Sequence, residues 1–140
     1  MKIALCQINP TVGAINNNKK QIIDWYDRAV KADVDIVVFP ELAITGYPPQ
    51  DLLLEQSFVD RNVLELEALT SVVNDVPMVV GYVQPIGKNL YNSAALLQNG
   101  KISGRYDKVL LPTYDVFDED RYFTAGETRS PLKAKIGKKT

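Results

Sequence analysis

Glu41 stands two residues past the run Asp35 to Phe39 (DIVVF), behind Pro40 and ahead of the segment LAITGYPP. Open α/β sheets place the groups that meet ligands just beyond the carboxyl ends of strands, and Pro40 discourages helix in the residue before it. An acid on a surface loop, capping the next turn, would read the same way, so position alone leaves both readings open. Lys108, in RYDKVLLP, and the acidic group Asp115, Asp118, Glu119 and Asp120 are the other charged features that draw notice. The chain of 140 residues has no histidine and one cysteine. Without histidine, Ser-His-Asp and Cys-His catalysis are excluded, and a zinc site has almost no ligands. A single cysteine excludes an intrachain disulfide. Hydrolytic chemistry here would draw on carboxylates, lysine or a thiol. The one thiol, Cys6, lies between Leu5 and Gln7, where free cysteine behaves as a small buried hydrophobe. Taken alone, Lys108 reads as a strand-end lysine snorkelling over Tyr106, and the acidic group reads as a solvated loop.

These residues need elements to position them. Lys2 to Ile8 (KIALCQI) reads as a first strand closed by Asn9-Pro10. Between Asn16 and Ala32, the residues Ile22, Trp25, Tyr26, Ala29 and Val30 recur at helical spacing. DIVVF is a nearly unbroken apolar run, suited to a strand covered on both faces. A second helix fits Phe58 to Asn74 through Val59, Val63, Leu66, Leu69 and Val73. A third strand, Met78 to Val83, follows Pro77. The order strand, helix, strand, helix, strand implies parallel pairing through helical crossovers. Asn92 to Gln98 and Lys101 to Lys108 then flank Asn99-Gly100, a strong hairpin signal because both turn residues tolerate positive φ. The expected class is α/β, a mixed sheet with helices on one face. The tail from Glu127, ending IGKKT, reads as a solvated end.

Composition excludes several roles. Hydrophobic residues make up 46% and charged residues 24%, and the formal net charge is −1. A nucleic-acid binder is usually strongly basic, so no nucleic-acid partner is expected. No apolar run approaches the roughly 20 residues of a membrane span, and MKIALCQINP is too poor in charge and apolar length for a secretory signal. A cytoplasmic protein of one domain is expected. The stretch Gly81 to Lys88 has a superficial likeness to a phosphate loop. It has five residues where the motif has four, Asn89 in place of Ser or Thr, and Pro85 where a backbone donor is needed.

The segments ALCQINPTVG (4–13), FPELAITGYPPQDLL (39–53) and NLYNSAALLQNGKISGRYDKVLLPTYDVFDEDRYFTAG (89–126) resemble the nitrilase superfamily of carbon-nitrogen hydrolases. More narrowly, the pairing of GYPPQDLL with LPTYDVFDEDRYF resembles the N-terminal glutaminase domains of glutamine-dependent NAD+ synthetases. The resemblance implies the αββα sandwich of that superfamily, of which this chain would be about the first half. It also implies a Glu-Lys-Cys hydrolase. Glu41, in PEL, matches the general base, and Lys108, in YDKVLLP, matches the catalytic lysine. Glu119, in FDEDRYFTAG, matches a second glutamate that supports the lysine and substrate. Tyr47, in TGY, and Tyr114, in LPTY, match positions lining the glutamine pocket; by themselves they read as packing residues.

These residue types suit the implied reaction. A carboxylate in a partly desolvated pocket has a raised pKa and accepts a thiol proton, and the thiolate attacks the amide carbon. An ammonium beside the tetrahedral oxyanion stabilises it by about 3 kcal/mol. Ammonia leaves, and water hydrolyses the glutamyl thioester. The family's nucleophilic cysteine lies on a later strand with no counterpart in these 140 residues, and Cys6 does not match its motif. The expectation is therefore an incomplete portion, residues 1–140, of a glutaminase domain that alone hydrolyses no glutamine. ATP, Mg2+ and deamido-NAD+ would belong to a synthetase domain outside this sequence, and the resemblance also implies homo-oligomers. Two other readings stay open: another amidase or carbamoyl hydrolase of this fold, and a non-catalytic binding module that lacks a nucleophile.

Overall fold

The computed structural model describes residues 1–137. Five strands and two long helices follow the expected order: β1 (Ile3–Leu5), α1 (Ile15–Lys31), β2 (Ile36–Val38), α2 (Gln56–Thr70), β3 (Met78–Ile86), β4 (Asn89–Gln98) and β5 (Lys101–Asp107). Short 3-10 turns occupy Gln50–Leu54 and Glu119–Arg121. The sheet has the order β1-β2-β3-β4-β5. β1, β2 and β3 run parallel, whereas β4 and β5 add antiparallel strands. Parallel neighbours cannot be joined by a tight turn, so α1 and α2 serve as the crossovers. The hairpins use two-residue turns, Gly87-Lys88 and Asn99-Gly100, and Asn99 (φ 51°) and Gly100 (φ 74°) both take the left-handed conformation expected of such a turn.

The main core lies between the helices and one face of the sheet. Ile22, Tyr26 and Ala29 of α1 and Leu66 and Leu69 of α2 meet Val37, Met78, Val80, Tyr82, Ala95 and Leu97, the alternate residues of three neighbouring strands. Each fully buried aliphatic side chain contributes about 1.5–3 kcal/mol relative to exposure. Outside this contact Ile3 and Leu5 of β1 remain 47% and 71% exposed.

Several expectations are corrected in detail. Trp25 and Val30 do not join the buried stripe of α1; they are exposed, and the Arg28 guanidinium lies over the Trp25 ring at 4.9 Å. α2 ends at Thr70 rather than Asn74, since Ser71, Val72 and Val73 bond three residues back in a tighter turn, and paired valines weaken helix at that point. The buried face of α2 includes Asn62 and Glu65. Asn62 takes over a backbone role: its carboxamide donates to Val83 O (2.6 Å) and accepts from Val83 N (3.1 Å). β3 needs that partner because β2 ends opposite Val79. For the same reason β3 tolerates Pro85, paired with Leu90 on one side and facing no strand on the other, and it continues past the expected end at Val83. The lookalike phosphate loop is thus strand and hairpin turn. The tail is mostly exposed, yet Lys135 N donates to Gln98 Oε1 at 3.2 Å and Leu132 lies over Gly104. The last three residues of IGKKT fall outside the described residues.

Candidate active site

Three separate segments deliver three charged side chains to one place, one of them from 67 residues away. The first is the loop after β2. From Phe39, whose N–H still bonds Val79 O at 2.9 Å, the chain crosses over β3. It can do so because Gly81 has no side chain: a Cβ there would lie 2.3 Å from Leu42 N and 2.6 Å from Pro40 O. Leu42, fully buried, adopts φ 48°, a left-handed conformation that costs a non-glycine residue about 1–2 kcal/mol. Its packing against Leu53, Val59, Val83 and Phe123 holds it there, which fixes the neighbouring Glu41.

The second segment is the end of β5. Lys108 N donates to Asn92 O at 2.8 Å, continuing the β4–β5 pairing by one residue. Gly126 N in turn bonds Lys108 O at 2.8 Å, in a spot where any Cβ would strike Asp107 O at 2.4 Å. The third is the 3-10 turn at Glu119, whose N–H bonds Pro112 O at 3.2 Å and whose carbonyl accepts from Phe123 N at 2.8 Å. Phe123 is buried beside Leu42, so the turn and the Glu41 loop share one anchor. Within the acidic group only Glu119 is buried, at 5% exposure, while Asp115, Asp118 and Asp120 face solvent.

The side chains meet directly. Lys108 Nζ lies 2.8 Å from Glu41 Oε1, across 67 residues of sequence, and 3.0 Å from Glu119. Both Glu119 oxygens lie at 3.0 Å from the ammonium. Tyr47 OH donates to Glu119 Oε1 at 3.0 Å. Burial pulls the Lys108 ammonium down, and its hydrogen bonds to Glu41 and Glu119 more than offset this, so Lys108 holds its proton above the ordinary lysine range. Burial and the adjacent Glu119 carboxylate push the Tyr47 hydroxyl above the tyrosine range, keeping it a donor. An ammonium has three donors. One serves Glu41 and a fork serves Glu119, which leaves one for an incoming oxygen.

Glu41 and Lys108 open on a cleft of about 290 Å³, lined also by Phe39, Val79, Ala94 and Tyr106. Glu41 is only partly desolvated, its side chain being 44% exposed. Tyr114 lies further out: it is 70% exposed and meets Phe117 edge-on at 5.7 Å, while Tyr47 flanks the same ring at 6.5 Å. Cys6 is elsewhere, buried in the helix-side core, and burial raises its thiol pKa, the reverse of what an activated nucleophile requires. Among the described residues no group of His, Cys, Asp or Glu is arranged to hold a metal ion, and no helix is long and apolar enough to cross a membrane.

Sequence reasoning missed Asn92. It is 4% exposed and donates from Nδ2 to Glu41 Oε1 at 2.5 Å, with a longer contact of 3.5 Å to Glu119 Oε2. Its signal was available, since asparagine is depleted in strands and Asn92 opens the otherwise small and apolar run NSAALL.

Comparison with known proteins bears on this arrangement. The profile of the Carbon-nitrogen hydrolase family matches residues 2–139. A glutamine-dependent NAD(+) synthetase from Synechocystis sp. is 45% identical over 131 residues, covering 88% of this chain and 24% of that protein. One from Thermotoga maritima is 39% identical over 139 residues, covering 98% and 24%. In structure, the glutamine-dependent NAD+ synthetase from Acinetobacter baumannii, in complex with ADP, superposes with a TM-score of 0.85 at 41% identity, over 91% of this chain and 24% of that one. An amidase from Nesterenkonia sp. gives 0.85 at 25% identity, over 98% of this chain and 52% of that one. The chain spans about a quarter of the length of the curated relatives it matches. With a family match over nearly all of its length and the mixed sheet its structural neighbours share, the chain belongs to the carbon-nitrogen hydrolase family.

Proposed function

We propose that these residues are the base-and-lysine portion of the glutaminase domain of a glutamine-dependent NAD+ synthetase. The observation that carries the reading is the contact of Glu41, Lys108 and Glu119 in a chain 45% identical to such an enzyme. Glu41 is the general base, and Lys108 the cation that steadies the oxyanion. Glu119 keeps Lys108 charged and placed. Tyr47 and Tyr114, on either side of Phe117, border the glutamine pocket.

In the proposed reaction a cysteine thiol from outside these residues gives its proton to Glu41 and attacks the glutamine amide carbon. Ammonia leaves, and water releases glutamate. The ammonia then serves ATP- and Mg2+-dependent amidation of deamido-NAD+ in a second domain. No residue of this chain is assigned to ATP or Mg2+: the segment that superficially fits a phosphate is a strand and a hairpin turn. The reading extends to a cytoplasmic protein and to a homo-oligomer, the second of which sedimentation would measure.

Ammonia release from glutamine, measured on the protein purified from its own gene, tests the proposal. Glutamine hydrolysis that falls about 10²–10⁴-fold in Glu41→Gln, the usual contribution of a general base, supports it. Hydrolysis undiminished by that change contradicts it. The 140-residue chain alone should release none, and cysteine-dependent ammonia release from it would contradict the assignment of the nucleophile to other residues.

A further inference from the structure

Three asparagines are buried among the described residues, and two have plain structural duties. Asn18, 2% exposed, bonds Thr11 N and O and Ile44 O. Asn62, fully buried, completes the free edge of β3 at Val83. Both satisfy backbone groups that would otherwise be stranded. Asn92 differs. Both contacts of its side-chain amide go to carboxylate oxygens of the Glu41–Lys108–Glu119 cluster. Its own place is fixed by the sheet, between Val83 of β3 and the Lys108 N–H.

The contact divides the two oxygens of Glu41. Oε1 accepts from Lys108 at 2.8 Å and from Asn92 at 2.5 Å. Oε2 has no hydrogen-bond partner among the described residues, and the side chain is 44% exposed on the cleft side. A carboxamide suits this duty because it donates without titrating. It cannot pass a proton to the acid it holds, and it adds no third negative charge beside a single lysine.

The geometry points to Asn92 as a positioning residue that holds Glu41 by Oε1, so that Oε2 is the oxygen that takes the proton of the attacking thiol. This rests on the glutaminase reading above. In the step, the S–H bond breaks and an O–H bond forms on Oε2. The electron pair stays on sulfur, which then bonds the amide carbon.

The test uses the protein purified from its own gene, with Asn92→Ala and the isosteric Asn92→Asp. Loss of a charge-assisted hydrogen bond to the base should lower kcat about 10- to 100-fold. KM should stay within about two-fold, because Asn92 acts through Glu41 and not on substrate. The acid limb of the kcat/KM profile should move to higher pH, further in Asn92→Asp, where a third acid joins the cluster. Wild-type kcat and an unmoved acid limb, in a protein that Glu41→Gln inactivates, would overturn the inference and leave the glutaminase reading standing. A wild-type protein that hydrolyses no glutamine would remove that reading and the inference with it. If neither Asn92 variant folds, NMR of the unaltered side chain decides. The Asn92 amide protons should shift strongly in Glu41→Gln, and protons that do not move would overturn the inference.

Discussion

Glu65 and Glu119 are both buried glutamates, 6% and 5% exposed, and each bonds a lysine from another segment. Glu65 sits between the helices, where Lys19 and Arg61 both bond it, Arg61 Nε at 2.7 Å. Two cations face one acid, and every partner rides on a regular helix. Around Glu119 the count is reversed, with two acids, Glu119 and Glu41, facing one lysine. The Glu41 loop passes through a left-handed Leu42, and one Glu41 oxygen remains without a partner among the described residues. The network that joins the helices has cations to spare. The Glu41 network keeps surplus negative charge, an open oxygen and strain held in place by neighbours, as the proposed proton acceptor would require.

The sharpest way to break this contrast is to neutralise one glutamate from each cluster. Glu41→Gln should abolish glutamine hydrolysis by about 10²–10⁴-fold with thermal stability nearly unchanged, since the acid is half exposed. A large loss of stability with activity retained would reverse the roles of the two clusters. Next in size, Gly81→Ala forces a Cβ into the Glu41 loop. It should cost about 1–3 kcal/mol in denaturant unfolding and lower activity as well, because the displaced backbone carries the proposed base. Glu65→Gln should cost about 1 kcal/mol and leave hydrolysis as it was.

The smallest effects are in pH dependence, and the two clusters should differ in sign. The hydrogen bond from Lys19 holds the Glu65 carboxyl below its ordinary range against the opposing effect of burial, with Arg61 adding to it. Its contribution is present above the ordinary glutamate pKa and is lost as pH falls through the lowered value. Stability curves of the wild type and Glu65→Gln should therefore converge in acid. Lys108, with its pKa raised, contributes fully below the ordinary lysine pKa and loses that contribution as pH rises through the raised value. Curves of the wild type and Lys108→Met should converge in strong alkali.

Much of the scaffold was legible because local signals report it. The Asn99-Gly100 turn between β4 and β5 and the apolar spacing of Ile22, Tyr26 and Ala29 in α1 depend on neighbours a few residues away. Asn62 and Glu65 were not legible as buried, because their partners, Val83 and Lys19, are set by tertiary packing. The extension of β3 past Val83 through Pro85 was not legible, because it depends on β2 ending short of it. The pairing of Glu41 with Lys108 has no local signal. It entered through family resemblance, and the crossing at Gly81 supplies its physical cause. Asn92 left only the trace of an asparagine inside a strand, because its partners, Glu41 and Glu119, are brought to it by tertiary packing.

The central claim is that Glu41, Lys108 and Glu119 form one ionised cluster, and the titration of the Lys108 side-chain nitrogen by 15N NMR tests it most directly. In the wild-type chain this nitrogen should lose its proton above the ordinary lysine range, and its midpoint should fall in Glu41→Gln and again in Glu119→Gln. A Lys108 that titrates like a surface lysine, with a midpoint neither substitution moves, would show that the three charges do not meet.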